Sequence, residues 1–166
     1  AFISDRGNQI GIWTVPFLGG TPTLIKMIVP DTKIAAVASP ILKSWSKKGI
    51  YYEHENNFFV LDVASGEITQ LTKFEEPHVP QGFCISPDEE RIAYIDSSEG
   101  QDDLWVISSR GGNPLRLTND PAGDVAPVWH PDGQRLIYNS LRDGTPQICL
   151  AYLDGRPSEL IPLGED

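Results

Sequence analysis

Apolar residues in this chain fall in short runs, each closed off by a cluster of Gly, Pro, Asp, Asn or Ser. The runs are rich in β-branched and aromatic side chains, which predicts strands rather than helices. Two of them, Ile92-Ala93-Tyr94-Ile95 and Leu104-Trp105-Val106-Ile107, are apolar at every position. A strand with one wet face alternates, so an unbroken run predicts a strand covered on both faces. Residues 86–118 carry the whole pattern: a turn, a strand at 91–96, a loop, a strand at 104–108, a Gly-Gly turn and a strand at 115–118. A further strand is expected just before it, at 82–85.

The pattern recurs along the chain. The pairs Ile12-Trp13, Phe58-Phe59, Leu104-Trp105 and Ile148-Cys149 are spaced by 46, 46 and 44 residues. The turns Gly19-Gly20, Ser65-Gly66, Gly111-Gly112 and Asp154-Gly155 follow them, and Leu24, Leu71, Leu117 and Leu160 are aligned in the strands after those turns. Second strands carry Phe2, Tyr51-Tyr52, Ala93-Tyr94 and Ile137-Tyr138, and innermost strands end near Trp45, Ile85 and Trp129. Four strands in a period of this length predict an all-β fold, a β-propeller of about four four-stranded blades. The blades are expected near 1–28, 34–74, 79–119 and 124–163, within a single domain or segment covering 1–166.

The first blade lacks an innermost strand, because Ala1-Phe2-Ile3 aligns with Ala93-Tyr94-Ile95. The stretch after Leu160 contains Pro162 and Gly164 and is too short to supply one, so the expected arrangement is an arc of a larger propeller, its open blade faces prone to self-association, with a closed four-blade ring as the alternative. The second blade is irregular. Its inner turn, Ser46-Lys47-Lys48-Gly49, is two residues shorter than that of the fourth, and the linker at 29–40 has no clear register.

Charge narrows the choice of partner. With 13 Lys+Arg against 23 Asp+Glu the net charge is −10, which repels nucleic acid. Cys84 and Cys149 form neither a disulfide framework nor a metal-binding spacing, and read as buried thiols. No apolar run is long enough for direct membrane insertion as a helix. The chain opens on Ala1 in mid-strand, as a processed product or an excised piece would.

The elements Ser86-Pro87-Asp88 with Arg91-Ile92-Ala93-Tyr94, Ser4-Asp5-Arg6-Gly7-Asn8 with Ile12-Trp13, and Gly111-Gly112 with Leu117-Thr118 resemble the TolB-like (PD40, WD40-like) β-propeller repeat. His130 stands where that repeat usually has Ser, and Lys47 where it usually has Pro. The resemblance implies a non-catalytic bacterial scaffold that binds a protein or peptide, in a periplasmic or other extracytoplasmic setting. It also leaves room for the accessory propeller of a prolyl-oligopeptidase-type serine peptidase, or for the sensory propeller of a membrane-bound transcriptional regulator.

Candidate binding residues follow from this layout. Trp45 and Trp129 are either an aromatic platform at a central channel or wedges between blades. Glu75, Glu76, Asp102, Asp103 and Asp124 fall on one loop rim, with His78 and Arg142 beside them. A rim of one sign attracts a basic protein or peptide. Glu53-His54-Glu55 is no metal half-site, since neighbours on a strand point to opposite faces. No nucleophile elbow or zinc-protease motif is present, so no catalytic residue, cofactor or metal ligand is expected.

Overall fold

The computed structural model describes residues 2–5, 10–16, 18–29, 41–75, 78 and 80–162. The linker at 30–40, Arg6 and Glu76 lie outside the described residues. Among the described residues, four antiparallel sheets follow one another along the chain. The first holds β1 (Phe2–Asp5), β2 (Ile10–Thr14) and β3 (Thr23–Val29). The second holds β4 (Ile41–Trp45), β5 (Ile50–His54), β6 (Asn57–Leu61) and β7 (Ile68–Gln70). In the third are β8 (Pro80–Ile85), β9 (Arg91–Asp96), β10 (Asp103–Ser108) and β11 (Leu115–Arg116). In the fourth are β12 (Asp124–Trp129), β13 (Arg135–Ser140), β14 (Gln147–Tyr152) and β15 (Glu159–Leu160). Each sheet is a meander of the propeller-blade kind, and the chain divides into two compact units, Ala1–Leu71 and Thr72–Asp166.

Register reproduces the repeat at the level of single residues. On the third strands, Trp13, Phe59, Trp105 and Cys149 each stand opposite an aromatic residue of the second strand: Phe2, Tyr52, Tyr94 and Tyr138. Tyr52 and Phe59 stack at 5.3 Å. On the other side their partners are Leu24, Gln70, Arg116 and Leu160. This corrects the expected leucine alignment, for Leu71 and Leu117 are each one residue past the equivalent place. Their amides instead close the ladder on the carbonyls of Phe58 and Leu104, as Ile161 does on Ile148. Leucine identity is a poor guide at a blade's outer edge, where side chains are only half covered.

The innermost strands of the second, third and fourth sheets each carry a bulge. In β8 and β12 it places Gly82 and Ala126 at positive φ. The inner turns also match expectation. The Ser86 and His130 amides donate to the carbonyls of Arg91 and Arg135, whereas the Ser46 amide reaches only as far as the carbonyl of Gly49. Asp88 and Asp132 cap the longer turns by accepting the amides of Glu90 and Gln134. Gly49 is required where it stands: it has φ +147, and a Cβ there would lie 2.0 Å from the Leu61 carbonyl oxygen.

Packing explains the unbroken apolar runs. In the second unit, Ala93, Ile95, Leu104 and Val106 of the third sheet bury against Trp129, Leu136, Tyr138, Cys149 and Ala151 of the fourth. Strand β9 is buried at every position after Arg91. Strand β13, in the fourth sheet, alternates instead, and Val128 and Ile137 are 59% and 36% exposed on the same face. Of the equivalent residues of the third sheet, Ala93 belongs to the core and Cys84, partly buried, packs against it. In the first unit Ile12, Ile50, Tyr52 and Leu61 form a separate core.

Two outcomes follow. Gly49→Ala is expected to lower unfolding free energy by about 3 kcal/mol, and Gly66→Ala, where φ is +72 with open space around it, by only about 1 kcal/mol, both read from urea midpoints. The 166-residue chain is expected to self-associate through the Val128–Ile137 face, and V128K/I137K to sediment as the smaller species. A wild-type chain that is monomeric at all concentrations would refute the second.

Candidate functional site

At one rim of the second unit three loops converge: 97–102 between β9 and β10, 117–123 between β11 and β12, and 141–146 after β13. Apolar strands end there in polar residues, because the ladder must stop where water begins. Asp96 closes β9, Asp103 opens β10, Asp124 opens β12 and Ser140 closes β13, and all four are buried. Buried polar groups of this kind need partners, and the loops supply them.

His78 reaches Asp96, with Nδ1 2.7 Å from Oδ2, and the Ser98 amide donates to the other carboxylate oxygen. Phe74 packs between the rings of His78 and Tyr94. Ser97 donates to Asp102 at 2.5 Å and accepts from Gln81. Arg116 pairs with both Asp103 and Glu99, and its Nε donates to the Thr118 carbonyl. The Thr118 hydroxyl accepts the Leu104 amide at 2.8 Å. Arg142 donates to Asp120 at 2.6 Å and to Ser158 at 3.2 Å. Burial pushes the Asp103 carboxyl up, against the pull of Arg116. Burial pushes Asp124 up to about 6; the Thr118 and Ser140 hydroxyls beside it favour its charged form, and Asp120 and Asp103 oppose it.

His78, Asp102, Asp103, Asp124 and Arg142 are thus brought to one rim, with Glu75 exposed next to them. The uniform negative rim expected from the sequence is corrected in its detail, since Asp103 and Asp120 are neutralised by arginines and Asp124 is sealed away from solvent. Trp129 lies at the far end of β12, in the core, with its indole N–H donating to the Cys84 carbonyl at 3.2 Å. It is a wedge between blades and offers no platform. Trp45 belongs to the first unit and is 56% exposed. Among the described residues no group of three or more His, Cys, Asp and Glu is placed to hold a metal. Arg116 and Asp96 were missed in the sequence. Arg116 was hidden by the leucine alignment, and Asp96 had only its place at the end of an apolar run to mark it.

Comparison with known proteins agrees with this architecture. The profile of the PD40 family, the TolB beta propeller domain, matches residues 32–164. The Tol-Pal system protein TolB of Desulfosudis oleivorans is 35% identical over 65 residues, which is 39% of this chain and 15% of that protein. The uncharacterized peptidase YuxL of Bacillus subtilis is 38% identical over 132 residues, covering 72% of this chain and 20% of that one. The crystal structure of TolB from Acinetobacter baumannii superposes with a TM-score of 0.66 at 21% identity, over 93% of this chain and 38% of that chain. The chain therefore spans well under two-thirds of each of these proteins.

Arg116 sits over Trp105 as well as between two acids, so its loss uncovers a buried charge. Arg116→Leu is expected to lower stability at pH 7.5 by about 3 kcal/mol. Urea unfolding at lower pH should show the deficit shrinking as Asp103 takes up a proton.

Proposed function

Since this chain belongs to the TolB beta propeller domain family, we propose that it is a non-catalytic scaffold holding a basic protein or peptide at the acidic loop rim of its second unit. The surplus of acids carries this reading. Glu75, Asp96, Glu99, Asp102, Asp103, Asp120 and Asp124 converge there, against Lys73, Arg116 and Arg142. The two arginines are spent on Asp103, Glu99 and Asp120, so among the described residues neither of them is paired with Glu75 or Asp102. A relative named for the Tol-Pal system is in keeping with a protein partner.

A second reading is favoured by the similarity to the peptidase YuxL. In it the propeller accompanies a serine peptidase domain and governs which substrates reach it. The rim then meets the substrate rather than a permanent partner.

A lysine-rich peptide titrated by fluorescence anisotropy distinguishes a binding rim from an inert one. Binding is expected to weaken with salt, and Glu75→Lys with Asp102→Asn to weaken it about tenfold. Unchanged affinity in that double variant would sink the proposal.

A further inference from the structure

Three rim loops meet over a single buried carboxyl. The Asp124 amide donates to the Asp102 carbonyl at 2.8 Å, tying in the 97–102 loop. The Leu141 amide donates to the Gly123 carbonyl at 3.0 Å, tying in the loop after β13. Gly123 faces the Asp102 side chain closely enough that a Cβ would touch it at 3.8 Å. Below this knot the Asp124 side chain has no exposed surface, and although the Thr118 and Ser140 hydroxyls lie near enough to favour its charged form, neither of its oxygens closes a hydrogen bond of good geometry. The Ser140 hydroxyl opposite it and the Arg142 Nε are likewise buried without a partner. Such a setting suits a carboxylic acid far better than a carboxylate.

The charged and titratable groups around it do not rescue the charge. Asp120 comes from the 117–123 loop and Asp103 from β10, and both repel an ionised Asp124. Asp103 already occupies Arg116 of β11. Arg142, beyond β13, is directed to Asp120 and Ser158. Tyr138 of β13 and Cys149 of β14 complete the surroundings, and the phenol is pushed up to about 12 by burial, so both are neutral near pH 7.

We propose that Asp124 is a proton-operated latch on this rim: protonated, it lets the three loops close over it, and ionised, it drives them open, so that capture of a basic partner strengthens as pH rises. The coupling to capture rests on the rim being the binding surface, whereas the latch does not. The sign follows from the difference between the two states. The closed rim holds the Asp124 proton up to about pH 6. An open rim exposes an ordinary carboxyl, which releases its proton near pH 4. Acid therefore favours closure, and the open fraction rises by about tenfold between pH 5 and pH 7.5.

Amide hydrogen exchange of Asp124 and Leu141, corrected for its intrinsic pH dependence, reads the latch directly. Protection is expected to fall by about tenfold between pH 5 and pH 7.5 in the wild-type chain. It should stay level in Asp124→Asn and fall as in wild type in His78→Gln. Level protection in the wild-type chain, an equal fall in Asp124→Asn, or a fall abolished by His78→Gln would overturn the latch. If Asp124→Asn does not fold, the carboxyl carbon shift of Asp124 in the wild-type chain decides. A midpoint near the usual carboxylate value of about 4 refutes the proposal. A lysine-rich peptide that binds more tightly at pH 7.5 than at pH 5, only while Asp124 is present, supports the coupling. Intact pH-dependent protection without peptide binding would leave the latch standing and refute the rim as the binding surface.

Discussion

A sheet whose two faces are both apolar can exist in water only if other sheets cover both. In the second unit this is met by laying Ala93, Ile95, Leu104 and Val106 on Trp129, Leu136, Tyr138 and Cys149. Full burial of a large apolar side chain contributes about 1.5–3 kcal/mol, so a contact of this breadth outweighs any single polar link between the sheets. The indole bond from Trp129 to the Cys84 carbonyl and the guanidinium bond from Arg91 to the Gly133 carbonyl then hold the two sheets in one relative register. Those bonds are directional, and the apolar contact is not.

Stacking sheets in this way forces every connection out to a rim. Loops that cross from one sheet to the next cannot use the strand ladder, so their backbone groups are satisfied by side chains and by each other. The rim near Asp124 is where that need is greatest. Asp96, Asp103 and Asp124 stand at strand ends with their carboxyls turned inward, and His78 and Arg116 are drawn in after them. What a sequence presents as a band of loose acids is therefore partly an internal framework. The acids left over are those at the loop tips, and these give the rim its sign.

This division suits a holder of other molecules. The inner part of the rim spends its charges on itself, while among the described residues Glu75 and Asp102 are paired with neither of the rim's arginines. Propellers of the TolB domain family share the sheet geometry, and the rim chemistry is where one chain can differ from another.

Strand content, four-stranded repeats and the family were legible from the residues alone. They depend on which side chains are apolar and how far apart turn formers lie, and both are properties of the chain in order. The short turn ending at Gly49 was legible for the same reason. Whether an aromatic residue is a wedge or a platform was not, since Trp45 and Trp129 occupy equivalent positions and only the covering of neighbouring sheets separates them. The state of Asp124 likewise arises from groups that are near it only after folding. Asp103, Thr118 and Ser140 are well separated along the chain, and burial removes the water that would otherwise make an aspartate ordinary.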